Sequence, residues 1–155
     1  MKFSAIAIST SIFLSVPALA QFPSWDAEQT AVWEFVEQSW VDDAAENGRW
    51  PGEYVHEAVV SWGDTQAAPR GVDQIDAWNR FEDEGSDTLY YEITPAAIVV
   101  EDDVSIVHYH LLVVTEDHTG ERDTTVSRLI EVLIRQDDEW KYISLVGFEP
   151  KLNGD

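Results

Sequence analysis

From residue 89 to residue 148, apolar and polar positions alternate in runs broken only by short acidic turns, the mark of successive strands. The runs cover 90–94, 97–100, 104–115, 124–135 and 140–148, with turns at Glu101-Asp102-Asp103, 117–120 and 136–139. Turns this short join antiparallel neighbours, because parallel strands need long crossovers. Upstream the period changes. Over 24–46 the apolar residues recur at helical spacing, so Trp33, Val36 and Trp40 share a buried stripe while Glu34, Glu37 and Asp42 face water. Asp26 with Gln29 forms a capping-box pattern, and Asn47-Gly48 supplies the stop. Residues 54–62 predict a short strand ended by Gly63-Asp64; from Val72, the spacing of Ile75, Trp78 and Phe81 predicts a second helix that ends at Gly85. Helices followed by a train of strands give an α+β fold, with helices laid across a curved antiparallel sheet and a conical pocket between them.

The first residues stand apart from this pattern. Lys2, the apolar run 5–16 and Pro17-Ala18-Leu19-Ala20 have the form of an export signal cleaved after Ala20. The run is shorter than the roughly 20 residues that span a bilayer. The expectation is a signal peptide over 1–20, a single domain over 21–155, and a periplasmic or secreted location. Without cysteine, the exported chain has no disulfide framework, thiol nucleophile or thiolate metal site. Its stability rests on packing.

Thirty acidic residues against nine basic ones give a formal charge of −21, and loss of Lys2 makes it one unit more negative. That field excludes nucleic acid and anionic membrane surfaces as partners. It reads as a solvated acidic skin, of a kind that also suits a salty habitat. The chain has no phosphate-cradling glycine loop, dinucleotide fingerprint, nucleophile elbow or helical zinc-protease motif. The acidic turns lack EF-hand spacing, so neither a cofactor nor a metal is expected.

The helix ending near Trp40, the segment Tyr54-Val-His-Glu-Ala-Val-Val-Ser-Trp-Gly63, the strand Val104-Ser-Ile-Val-His-Tyr109 and the closing stretch from Ser127 to Ile143 together resemble the SnoaL-like branch of the nuclear transport factor 2 superfamily. The ordered set carries the resemblance over nearly the whole exported chain; no one motif does. It implies a cone-shaped roll, with N-terminal helices packed inside a strongly curved antiparallel β-sheet that often dimerises through its outer face. Members of that group include ketosteroid isomerases, polyketide cyclases, epoxide hydrolases, dehydratases, and plain binding or assembly domains. Fold therefore leaves function open.

Three constellations are candidates for chemistry. His108 and His110 lie two apart on a strand and leave the same face, roughly 7 Å apart by strand rise, in the company of Ile106 and Leu112, which mark a cavity wall or core. Two imidazoles alone do not make a metal site, so a structural or ligand-facing role is expected. Glu131 sits in the apolar run 129–134, near where the resemblance places a catalytic acidic residue on a late strand. A carboxyl group in an apolar pocket has a raised pKa and can act as general acid or base. Parity sets Glu131 against Arg128, because only one of them enters the cone unless a bulge intervenes. An inward Arg128 would clamp an acidic ligand instead. Third, Trp50, Tyr54, His56, Trp62 and Trp78 flank the short strand, where the resemblance puts the cavity mouth, while Trp33, Trp40 and Trp140 read as core.

Three readings of function follow from these residues. The first is a domain that binds a small apolar or aromatic molecule. A cofactor-free isomerase, cyclase or dehydratase is the second, with Glu131 or His108 moving a proton while Tyr54, His56 or His110 holds an oxyanion. The third is a homodimeric interaction module that works through its outer sheet face.

Overall fold

A computed structural model describes residues 24–64 and 66–150; the signal sequence read over 1–20 lies outside the described residues. The first helix, α1 (Ala27–Ala44), begins where Asp26 accepts the backbone N–H of Gln29 at 2.9 Å and the Gln29 side chain accepts the Asp26 N–H at 3.1 Å. This reciprocal cap satisfies two donors that every helix start leaves open. Val32, Trp33, Val36 and Ser39 form its buried stripe. A short strand, β1 (Val55–Ser61), and a second helix, α2 (Val72–Asp83), follow. Four long strands complete the chain: β2 (Ser86–Glu101), β3 (Val104–Asp117), β4 (Arg122–Gln136) and β5 (Glu139–Phe148).

The sheet order is β1-β5-β4-β3-β2, antiparallel except where β1 joins β5 in parallel. Its hairpins are set by the acidic turns. Asp137 and Asp138 both have positive φ, at 52° and 64°, which gives the two-residue turn whose twist matches right-handed strands. At the β3–β4 turn, the Asp117 carboxylate accepts the Thr119 and Glu121 N–H groups, and Gly120 takes a φ of 83°.

Bulges curve the sheet. Between Pro95 and Ala97 the pairing of β2 with β3 shifts, joining into one bent strand the two segments expected separately at 90–94 and 97–100. A second shift pairs Val132 with Ser144 but Leu133 with Tyr142, so β5 gains a residue there. Tyr142 and Leu145 have opposite parity, yet both oppose inward residues, Leu133 and Glu131. The concave face holds the core, in which Val32 and Val36 of α1 meet Val107, Tyr109, Leu133 and Tyr142 of the sheet.

One sequence expectation fails here. Asp42 is buried at 3% exposure rather than facing water, because Tyr54, Asn47 and Arg49 converge on its carboxylate; the Arg49 ion pair is 2.7 Å long. On α2 only Ile75 is buried, while Trp78 turns to the mouth of the cone and Phe81 is exposed beside it.

Candidate functional site

Between the two helices and the open end of the sheet lies a cavity of about 300 Å³, walled by apolar surface from Trp40, Trp50, Ile75, Trp78, Leu111 and Leu129. At its rim the chain leaves β1 so close to β5 that a side chain on Gly63 would meet the Gly147 carbonyl at 2.8 Å. Glycine is required at that approach.

Glu131 reaches this cavity from β4 and is only 6% exposed. Its Oε1 accepts the Tyr109 hydroxyl at 2.8 Å, and that hydroxyl in turn accepts the Trp40 indole N–H at 2.8 Å. Its Oε2 is buried with no hydrogen-bonding partner among the described residues. Beside it, the Tyr142 hydroxyl shares a 2.9 Å hydrogen bond with Ser39, whose Oγ also donates to the Val36 carbonyl. Burial pushes the Glu131 carboxyl up to about 7; the Tyr109 hydroxyl, and the Tyr142 hydroxyl from nearby, hold it back from going further. Burial, followed by the charge of Glu131, pushes both phenols well above their ordinary range, so each remains a neutral hydroxyl.

The side of the cavity toward α2 is acidic. Asp43, one residue past the buried Asp42, lines it together with Glu82. Burial pushes Asp43 up to about 7, and the charges of Asp83, Glu82 and Glu46 add to the effect. Glu82 is raised by burial too, though Trp78 and Arg70 draw it back. The Arg70 guanidinium lies 4.2 Å above the Trp78 ring, the spacing of a cation–π contact. Beyond this wall a second hollow, of about 370 Å³, shares Trp40, Asp43, Asn79, Glu82 and Leu111 with the first and adds Glu46, Asp83 and Asp123.

Of the residues singled out in the sequence, the structure brings Glu131, Trp50 and Trp78 to the cavity. Parity resolves in favour of Glu131, and Arg128 is exposed on the outer face opposite His110. The histidines are a correction. His108 is half-buried and His110 exposed on the convex face, while Ser105, Val107, Tyr109 and Leu111 form the buried set of β3. The pattern misled because the convex face is apolar as well: Ile106 and Leu112 lie on it, paired with Val132 and Val126. Tyr54 is buried beneath the cavity wall with its hydroxyl donated to Asp42, so it is unavailable to a ligand. His56 turns back to accept the Ala58 N–H, and Trp62 is 55% exposed outside the cavity. Sequence reasoning missed Tyr109, Tyr142, Ser39, Asp43 and Arg70. Tyr109 was visible as the one aromatic residue in the opposite parity class of β3.

No family model matches the chain. No curated protein matches it either. Solved structures do. A ketosteroid isomerase-like protein from Erwinia carotovora atroseptica superposes with a TM-score of 0.71 at 10% identity, covering 82% of this chain and 99% of that one. An NTF2-like protein of unknown function in nutrient uptake from Rhodospirillum rubrum gives 0.66 at 11% identity, over 76% and 97%. The association domain of C. elegans CaMKII gives 0.58 at 12% identity, over 78% and 95%. At such identities the likeness concerns the backbone alone: a helix-lined cone with a curved, mostly antiparallel sheet, the NTF2-like fold.

Proposed function

We propose that this chain is an exported small-molecule-binding domain of the SnoaL-like kind, whose cone receives a mostly apolar molecule and presents Glu131 to one polar group on it. The supporting observation is the buried Oε2 of Glu131, an acceptor with no partner among the described residues at the edge of an aromatic cavity. A buried polar atom left unpaired costs about 1–3 kcal/mol, which a ligand donating to it would recover. A thermal-shift and tryptophan-fluorescence screen with steroid-like, terpenoid and aromatic compounds is expected to yield binders that raise the melting temperature in proportion to the logarithm of their concentration. Silence across all three classes, with the protein folded, would remove the proposal.

A carboxyl group near 7 is half ionised at neutrality, and that favours a second reading in which Glu131 moves a proton. The reaction would be a cofactor-free isomerisation, cyclisation or dehydration, with Tyr109 holding the carboxyl in place; His108, on the other face, has no part in it. The two readings separate on a bound carbonyl compound in deuterated water. Proton transfer predicts deuterium uptake next to the carbonyl that Glu131→Gln abolishes while binding persists; pure binding predicts no uptake in either protein.

The convex face supports a homodimer. Val99, Ile106 and Val126 are exposed there beside apolar cross-strand partners, and Phe148 is exposed on the same face opposite Arg128. Sedimentation at micromolar concentration is expected to show a dimer that Ile106→Glu converts to a monomer with its fold intact. A parent protein that stays monomeric at every concentration would exclude this surface as an interface.

A further inference from the structure

Resting on the small-molecule reading above, we propose that the ligand is a cation: a primary or secondary amine carried on a flat aromatic or apolar body. The cavity offers acceptors and has committed many of its donors. Oε2 of Glu131 and Oε1 of Gln66 are both buried without a partner among the described residues, and both residues line the cavity. By contrast, the Trp40 indole N–H is given to Tyr109, one N–H of the Gln66 amide to Ser61 and one of the Asn79 amide to Asp83. A protonated amine is donor only, a carboxylate is acceptor only, and an alcohol is both. Free acceptors beside committed donors therefore favour the amine.

The charges agree. Asp43, Glu82 and Glu131 line the cavity against one cation, Arg70, which is occupied over the Trp78 ring. The adjoining hollow adds Glu46, Asp83 and Asp123 on the same side. None of Asp43, Glu46, Glu82 and Asp83 forms an ion pair within 4 Å among the described residues. The carboxylates repel one another, and Arg70 offsets that only in part, at Glu82. Trp40, Trp50 and Trp78 complete a partly aromatic enclosure, and aromatic faces attract cations, most strongly where water is excluded. A carboxylate ligand would meet this wall with like charge and a shortage of donors.

Three probes of one shape test the idea by calorimetry at neutral pH: 2-phenylethylamine, 2-phenylethanol and 3-phenylpropionate. The amine is expected to bind at least about tenfold more tightly than the alcohol, and the carboxylate least. In the Asp43→Asn, Glu82→Gln double variant the amine's advantage over the alcohol should fall to about twofold or less. A melting curve on that variant checks folding, and relief of carboxylate repulsion should leave it no less stable than the parent. The proposal is overturned if the alcohol or carboxylate binds as tightly as the amine. It is equally overturned if the amine's advantage survives both the double substitution and Glu131→Gln, because attraction to the acidic surface at large would then explain it. Failure of all three probes alongside a neutral binder from the broader screen rejects the amine and leaves the binding domain standing; silence in both experiments rejects both.

Discussion

Glu131→Gln is expected to be more stable than the parent at pH 8, by about 2 kcal/mol, and to lose much of the parent's decline in stability between about pH 4.5 and pH 7. The sign follows from the direction of the shift. In the unfolded chain this carboxyl titrates near its ordinary 4.5; in the folded protein, burial holds the proton until about 7. Between those values the folded state binds more protons, so stability falls as pH rises through the window and stays at the lower level above it. A displacement of that size corresponds to about 3 kcal/mol. The gain from glutamine is smaller because its Nε2 would occupy the place of the unpartnered Oε2 and leave a buried donor unsatisfied, at a cost of about 1 kcal/mol.

Asp43 contributes a second decline in the same direction, from 3.8 to about 7, so the Glu131 variant keeps part of the slope and Asp43→Asn removes another part. Asp42 works in the opposite sense and in a different window. The hydrogen bond from Tyr54, then that from Asn47, holds its carboxyl below the ordinary value. The stability it contributes is present above about pH 4 and is lost only as pH falls through that lowered value. Urea denaturation at pH 5, 6, 7 and 8 on parent and variants measures all of this. Parallel pH profiles for the parent and Glu131→Gln would show that Glu131 titrates normally, which would remove the basis of the proton-transfer reading.

The architecture was legible because its signals are local. A capping box at Asp26 and Gln29, acidic turns that tolerate positive φ at Asp137 and Asp138, and alternation along four strands are all written within a few residues of where they act. The site was less legible because its residues meet only through curvature. Alternation along β4 showed that Glu131 and Arg128 take opposite faces, but with both faces of β3 and β4 apolar it did not say which is concave. Nor does any local signal mark the extra residue in β5 that lets Tyr142 and Leu145 face inward together. Asp42 and Asp43 illustrate the same limit on a helix. Asp42 reads as part of the solvated face, yet partners from the following loop and the start of β1 bury it, while its neighbour Asp43 is half-buried at the cavity.

Tyr109→Phe carries the other large expectation: a loss of about 2–4 kcal/mol at pH 8, with Glu131 titrating still higher than in the parent. One hydroxyl serves two neighbours, donating to Glu131 Oε1 and accepting from Trp40 Nε1. Its removal takes from the buried carboxylate the donor to Oε1 and leaves an indole N–H without its acceptor. Each such orphan costs about 1–3 kcal/mol, and the charged one costs more than the neutral one. Because hydrogen bonds to the ionised form are what hold Glu131 down against burial, losing the first of them raises its pKa. The destabilisation should therefore be smaller at pH 5, where the carboxyl is protonated and needs less from its donor. Tyr142→Phe is the control, since Ser39 keeps its bond to the Val36 carbonyl and Glu131 keeps Tyr109; both the stability loss and the titration shift should be smaller. Carbon-13 observation of the Glu131 carboxyl across pH in the three proteins reads the order directly: parent lowest, Tyr142→Phe next, Tyr109→Phe highest. If the carboxyl titrates identically in all three, the tyrosines do not govern it, and the site is only a cavity with a buried acid at its edge.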